Sequence, residues 1–280
     1  MLTFIKPGFY TSVQDQGRWK YRNKGIPSSG CMDDFSAQIA NALVNNKTSD
    51  AVLEITQIGP HMHFEKAAVI AFSGAKAEVK INGEKIELNK AYAITAQSEV
   101  KVGYCQKGIR LYMAIKGGFQ TPEQYGCRSW FSGITEKIRC DQGDKLNYLP
   151  QANFLDKYGN VVVNADLFSE EVEVTPGPEY DHLSEQQKEE LFNSTFTIAN
   201  LNNRMGYQLE ESLANDIPEI LSSPVIPGTV QLTSGGKLII LMKDAATSGG
   251  YPRVLQLTAF ALSKIAQKST RDRLRFKMKF

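Results

Sequence analysis

What this 280-residue chain most lacks is an excess of either charge. Its 32 Lys and Arg stand against 30 Asp and Glu, a formal net charge of +2. No chain-wide basic field therefore points to nucleic acid or to an anionic membrane. No apolar run approaches the length of a bilayer span. The opening Met1-Leu2-Thr3-Phe4-Ile5-Lys6-Pro7-Gly8 lacks the basic start, apolar stretch and cleavage site of a secretory leader. The expectation is a cytoplasmic protein with neither nucleic acid nor membrane as partner. Cysteine and histidine are scarce: Cys31, Cys105, Cys127 and Cys140, with His61, His63 and His182. None of these form a Cys-x-x-Cys pair or a zinc spacing, so reduced, mostly packing thiols and no metal site are expected. His61-x-His63 places two imidazoles on one face of a strand, and a surface pair outweighs a metal pair because a third ligand is wanting. Familiar catalytic loops are absent too. There is no Walker loop, no Gly-x-Gly-x-x-Gly where a strand meets a helix, and no Gly-x-Ser-x-Gly elbow. The chain thus shows no self-contained ATPase or hydrolase signature; it reads as a subunit that offers a pocket. Cys31 and Cys127 lie in Gly-rich loops, where they either pack or act as nucleophiles with a distant base.

What the chain does have is many short apolar stretches separated by turn residues. Phe4 to Gln14 reads as a strand and the loop leading from it. Gly25-Ile26-Pro27-Ser28-Ser29-Gly30 leads to Asp33, placed as an N-cap for a helix over Asp34–Asn45, where Phe35, Ile39, Ala42 and Leu43 recur at helical spacing. Ala51–Thr56 reads as a strand holding Glu54. Ala67–Phe72 reads as a buried strand ending at Ser73-Gly74. Ala77–Ile81 and Lys85–Leu88 flank Asn82-Gly83, the preferred two-residue hairpin turn. Val100–Tyr104 and Ile109–Ile115 read as a second hairpin over Gln106-Lys107-Gly108. Gln151 to Phe168 is polar and without period, which suggests an N-terminal β domain over 1–165 and a C-terminal barrel domain over 166–280. In the second half, Glu171–Val174 and Phe196–Ile198 read as strands, and Leu183–Phe192 and Thr258–Gln267 as helices. This pattern predicts a mainly β, barrel-like architecture with a few short helices.

Two regions carry residues suited to chemistry. The first holds Gln14, Asp15, Arg18, Ser28, Ser29, Asp33 and Asn41, with Glu54 soon after. A carboxylate beside a guanidinium suits a carboxylate or amide ligand, since Arg forks onto two oxygens. The bland alternatives stay open: Asp33 as a plain cap, Asp15 and Arg18 as a turn ion pair, Glu54 facing solvent. The second is Asp244-Ala245-Ala246-Thr247-Ser248-Gly249-Gly250-Tyr251-Pro252, which is either a tight connection between two strands or one wall of a pocket.

The motifs together resemble the biotin-dependent carboxyltransferase family. They run Pro7-Gly8, Ser12-Val13-Gln14-Asp15-x-Gly17-Arg18, Gly25-Ile26-Pro27-x-Ser29-Gly30-x-Met32-Asp33, Ala40-Asn41-x-Leu43 and Leu53-Glu54-x-Thr56-x-x-Gly59-Pro60. They continue with Pro176-Gly177-Pro178, Arg204-x-Gly206, Gly228-x-x-Gln231, Asp244-x-x-Thr247-x-Gly249-Gly250-Tyr251-Pro252 and Ala266-Gln267. The family includes allophanate hydrolase subunit 2, the KipA-like proteins and the 5-oxoprolinase C-type subunits. The resemblance implies a cyclophilin-like β-barrel architecture, a companion B subunit and, for an oxoprolinase, an A subunit. It implies ATP-dependent opening of 5-oxoproline to glutamate by the complex, with ATP used by the assembly rather than bound by this chain. Two alternatives accompany it: a carboxyltransferase subunit acting with biotin on a separate carrier, and a regulatory protein that antagonises an inhibitor of a histidine kinase. The matched positions imply Asp15, Glu54 and Asp244 as acid–base candidates. They imply Gln14, Arg18, Asp33, Asn41, Arg204, Gln231, Thr247, Gly249, Gly250 and Tyr251 as the lining of one pocket for a small amide or carboxylate. Cys31, Cys127, Gln208, Ser223, Ala246 and Ser248 depart from the family pattern, as does the missing Pro-Gly over Lys268 to Arg271. These departures bear on substrate more than on fold.

Overall fold

Asn82 and Gly83 both sit at positive φ, 51° and 87°, which is the backbone a two-residue hairpin turn requires. That hairpin belongs to the first of two compact units in a computed structural model that describes residues 1–151 and 166–279. The first unit comprises Met1–Arg18 and Ser29–Ala165, and the second comprises Trp19–Ser28 and Asp166–Phe280. Most of the polar stretch from Gln151 to Phe168 lies outside the described residues.

The first unit is built on nine strands: β1 (Leu2–Lys6), β2 (Tyr10–Gln14), β3 (Val52–Thr56), β4 (His61–Phe64), β5 (Ala68–Ile81), β6 (Glu84–Ile86), β7 (Ala91–Ile94), β8 (Ser98–Ile115) and β9 (Lys145–Leu146). They form one sheet in the order β2-β3-β8-β4-β1-β9, with β5 paired to β6, β7 and β8. Helix α1 (Asp34–Leu43) precedes β3, and Asp33 caps it by accepting the Ser36 N–H at 3.0 Å. Asn45, at φ 53°, terminates the turn that follows. One apolar core runs through Leu2, Phe4, Leu53, Ile55, Phe64, Ile70, Phe72, Leu111 and Met113.

Two expected breaks are absent. Ser73-Gly74 does not end a strand, because β5 runs on through it. A Cβ on Gly74 would stand 2.6 Å from the Arg110 carbonyl oxygen, so glycine is there for close approach of the strands. Nor do Val100–Tyr104 and Ile109–Ile115 form a hairpin. They are halves of the 18-residue β8, whose start pairs with β4 and whose end pairs with β3. Gln57 bridges the Gln-Lys-Gly stretch, donating its N–H to Ile109 O at 2.8 Å and accepting the Cys105 N–H at 2.7 Å. Long-range pairing with two neighbours has overridden a locally plausible turn.

The second unit contains β10 (Glu171–Pro176), α2 (Glu185–Asn193), β11 (Phe196–Asn202), β12 (Gly206–Ser212), β13 (Ser223–Pro224), β14 (Thr229–Leu232), β15 (Lys237–Leu241), β16 (Ser248–Gly249), β17 (Arg253–Leu257), α3 (Ala259–Ala266) and β18 (Arg273–Met278). Seven of the strands close a barrel, β10-β17-β14-β15-β12-β11-β18, and parallel pairing of β18 with β10 completes it. Closure leaves no open edge to manage. Val172, Ile198, Tyr207, Leu209, Val230, Leu238, Ile240 and Val254 are fully buried. A Ser184–Gln187 capping box starts α2. The expected mainly β, barrel-containing architecture is what the chain adopts.

Candidate functional site

In the first unit, the loop before α1 is fixed by a buried polar cluster. Glu54 faces inward and is fully buried. Its Oε2 accepts the Met32 N–H at 2.7 Å and the Tyr112 hydroxyl at 2.7 Å, and Arg110 Nε lies 3.8 Å from Oε1. The Tyr112 oxygen in turn accepts the Asp33 N–H at 2.8 Å. Asp33 is a cap, and its Oδ2 also accepts the Ser36 hydroxyl at 2.6 Å. Burial, then the Glu54 and Asp33 charges, push the Tyr112 phenol well above its ordinary pKa. Gln14 donates to Ser12 Oγ and to the Trp130 carbonyl. Asn41 donates to Asp50 O at 2.9 Å and accepts from Asn46. Glu54 and Asp33 thus hold the loop before α1, while Gln14 ties β2 to Trp130 and Asn41 ties α1 to Asn46 and Asp50 in the segment that follows it.

Asp15 and Arg18 take separate partners. Asp15 Oδ1 accepts from Gly17 N–H (2.9 Å), Ser129 Oγ (2.6 Å) and the Cys127 thiol (2.9 Å), and Oδ2 accepts from Arg128 N–H (2.6 Å). Arg18 is 2% exposed and donates to Ser29 Oγ at 2.9 Å and to the Ser129 carbonyl. Asp15 therefore pins the 126–129 loop rather than closing a turn ion pair. Beside it opens a cleft of about 440 Å³ lined by Asp15, Gly17, Asp50, Gly118, Glu123 and Arg128, among others. Burial and the Asp15 carboxylate push the Cys127 thiol up to about 11, opposite to what a nucleophile requires. All four cysteines are free and buried. His61 Nε2 lies 2.9 Å from Glu99 Oε2. Among the described residues no group of three His, Cys, Asp or Glu has the geometry to hold a metal ion.

In the second unit, Asp244–Pro252 is not a tight connection between paired strands. β14 lies between β15 and β17 in the barrel, so the segment crosses one barrel strand. It docks on residues 220–225: Ile220 N–H donates to Gly250 O at 2.9 Å, Val225 N–H to Thr247 O at 3.1 Å, and β13 pairs with β16. Arg204 forks onto Asp244, Nε to Oδ2 at 2.7 Å and Nη2 to Oδ1 at 3.3 Å, while Asp244 N–H donates to Arg204 O at 2.8 Å. Such a bidentate, largely buried pair fixes the start of the crossing segment. Gln231 donates to Tyr251 O at 3.3 Å, and a Cβ on Gly249 would stand 2.7 Å from the Gln231 amide nitrogen. The structure thus brings Arg204 with Asp244 and Gln231 with Gly249 and Tyr251, with Thr247 in the docked backbone.

Several partners leave little trace in the sequence. Tyr112 sits in an unbroken apolar run, where its hydroxyl leaves no periodic mark. Ser129 and Arg128 are legible only as a polar loop. Glu179 receives the Arg253 side chain at 2.9 and 2.7 Å and its backbone N–H at 2.8 Å; their 74-residue separation hides the pair. These hydrogen bonds hold the Glu179 carboxyl below its usual range.

The barrel, the capped loop and the docked Gly-Gly-Tyr segment define a carboxyltransferase-type domain. The model for the carboxyltransferase domain, subdomain A and B, matches residues 24–278, and the chain belongs to that family. It is 30% identical over 275 residues to the C subunit of 5-oxoprolinase from Escherichia coli, a match covering 95% of this chain and 87% of that protein. A 127-residue stretch is 39% identical to urea amidolyase of Lachancea kluyveri, 45% of this chain but 7% of that one. Among solved structures, the urea amidolyase of K. lactis matches with a TM-score of 0.86 and 26% identity, covering 98% of this chain and 18% of that chain. The chain thus spans nearly all of the first relative and a small part of the other two. Among the described residues no helix is long and apolar enough to cross a membrane.

Proposed function

We propose that this chain is the C-type subunit of an ATP-dependent 5-oxoprolinase complex, which converts 5-oxoproline, ATP and water to glutamate, ADP and phosphate. The observation that carries this reading is the end-to-end likeness to the 5-oxoprolinase C subunit, 95% of this chain against 87% of the relative. Its companions are an A and a B subunit, and ATP is used by the assembly. Each unit offers its own candidate contacts for a small amide or carboxylate: Asp15 at its cleft in the first, and the Arg204–Asp244 and Gln231–Gly249–Tyr251 clusters in the second. Gln14, Arg18, Asp33, Asn41 and Glu54 fix loop geometry within the first unit. Polar groups held this rigidly favour a ligand that matches their hydrogen bonds and reject one that does not. The test is glutamate release from 5-oxoproline by this chain with purified A and B subunits and ATP. Absence of glutamate with all three present refutes the reading.

The urea amidolyase relatives favour a second reading, a carboxyltransferase subunit working with biotin on a separate carrier. Carboxyl transfer that requires a biotinylated carrier protein would establish it in place of the first.

A further inference from the structure

The registers of the first unit's sheet bring five basic side chains into one line. Lys6 of β1 stands opposite His61 of β4, His61 opposite Lys101 of β8, Lys101 opposite Lys80 of β5, and Lys80 opposite Lys85 of β6. Directly opposite residues project from the same face of a sheet. Lys6, Lys101 and Lys85 are exposed and His61 and Lys80 half-buried, so this is the solvent face. At about 4.8 Å per strand the row is about 19 Å long. Like charges directly opposite one another destabilise a sheet, yet Lys101, Lys80 and Lys85 follow one another across three strands. Glu78 meets Lys80 and Lys85, and Glu99 meets His61. Among the described residues, Lys6 and Lys101 make no ion pair.

A second row runs beside the first. Phe9, Ile58 and Tyr104 are 60%, 52% and 65% exposed. Each lies three residues along the chain from a member of the basic row. They are joined through the backbone: Phe9 N–H donates to Ile58 O at 2.9 Å, and Ile58 bridges Tyr104. Between Val79↔Val102 and Ala77↔Cys105, β8 carries one residue more than β5. This bulge turns Tyr104 to the face of Lys101. Gly8 seats Phe9, since a Cβ there would lie 2.3 Å from Ile58 O.

We propose that these two rows are the docking surface for an acidic face of a companion subunit, with Tyr104, Ile58 and Phe9 entering an apolar recess inside a rim of Asp and Glu. The inference rests on the reading of this chain as part of a complex. Aromatic and apolar anchors beside a charged rim are the make-up of a protein interface. Glu78 and Glu99 stand within the row, and this mixed pattern suits a matching protein surface rather than a bilayer or a nucleic-acid backbone, which call for cations alone. The rows cover less than the roughly 800 Å² per partner of a standard interface, so they form one part of it.

The test uses the full chain and the purified A and B subunits as probes, with affinity measured by calorimetry at 50 and 300 mM NaCl. A Lys6→Glu/Lys101→Glu variant and a Tyr104→Ala variant should each weaken binding to one of the two subunits at least tenfold. Lys188→Glu on α2, outside both rows, should leave subunit affinity unchanged, and salt should weaken the wild-type complex. The double variant places acids beside His61 and Lys80, so its thermal melt should not fall. Wild-type affinity in both variants overturns the proposal while leaving the proposed function intact. Failure of the wild type to bind either subunit sinks both. Binding of phosphatidylserine vesicles or duplex DNA through the same lysines, with no effect on subunit affinity, overturns the assignment to a protein partner.

Discussion

Replacing Tyr112 by Phe removes one oxygen atom from the centre of the first unit. That oxygen donates to Glu54 Oε2 at 2.7 Å and accepts the Asp33 N–H at 2.8 Å, and all three residues are fully buried. A hydrogen bond to a charged acceptor contributes about 1.5–3 kcal/mol, and an orphaned buried N–H costs about 1–3 kcal/mol. The ring itself remains, so no large cavity adds to this. The expected loss is roughly 3–5 kcal/mol, about 6–20 °C in melting temperature for a unit of this size. Trp130, buried in the same unit, provides the fluorescence signal for urea unfolding. Tyr104→Phe, at an exposed site, is the control and should stay within about 0.5 kcal/mol. The wild-type phenol should also stay protonated as exposed tyrosines ionise near 10. A loss below about 1 kcal/mol would refute the idea that Tyr112 joins Glu54 to the Asp33 cap.

Three further outcomes follow from the same geometry. Gly177→Ala would bring a Cβ to 2.1 Å from the Arg253 carbonyl oxygen, so destabilisation of at least about 2 kcal/mol is expected in thermal melts, and a neutral result would contradict that contact. The Glu179 carboxyl is held low by Arg253. The pair's contribution is therefore complete above the ordinary glutamate pKa near 4.5 and is lost as pH falls below it through the folded value. Glu179→Gln should flatten that acid limb of the stability profile, and an unchanged limb would count against the pair. With its thiol raised to about 11 and its Sγ bonded to Asp15, Cys127 should resist iodoacetamide at pH 7.5 in the native protein and react in urea; rapid native labelling detected by mass spectrometry would show the loop is not closed over it.

Local rules make much of the fold legible. Asn82-Gly83 requires positive φ at two successive residues, and Asp33 stands where a helix needs a side-chain acceptor; both hold because the chemistry is confined to a few neighbouring residues. The long β8 is illegible for the converse reason: Gln106-Lys107-Gly108 is a plausible turn until β3, β4 and β5 offer partners from distant sequence. The Asp244–Pro252 segment is ambiguous in sequence because nothing in it reveals that β14 lies between the strands it joins. Among the candidate residues, the motifs single out Asp15, Arg204, Gln231 and Asp244 but not their partners. Ser129 lies 114 residues from Asp15 and Asp244 lies 40 from Arg204, so only the fold introduces them. The basic row is hidden for the same reason, since Lys6, His61, Lys101, Lys80 and Lys85 align only once strand registers are set.

The central claim is that this chain completes a 5-oxoprolinase. It is tested most directly by an omission assay: A and B subunits with ATP and 5-oxoproline, with and without this chain, followed by glutamate release. The account predicts glutamate formation that requires this chain and stops when ATP is withheld. Equal release in its absence, or none in its presence, would contradict it.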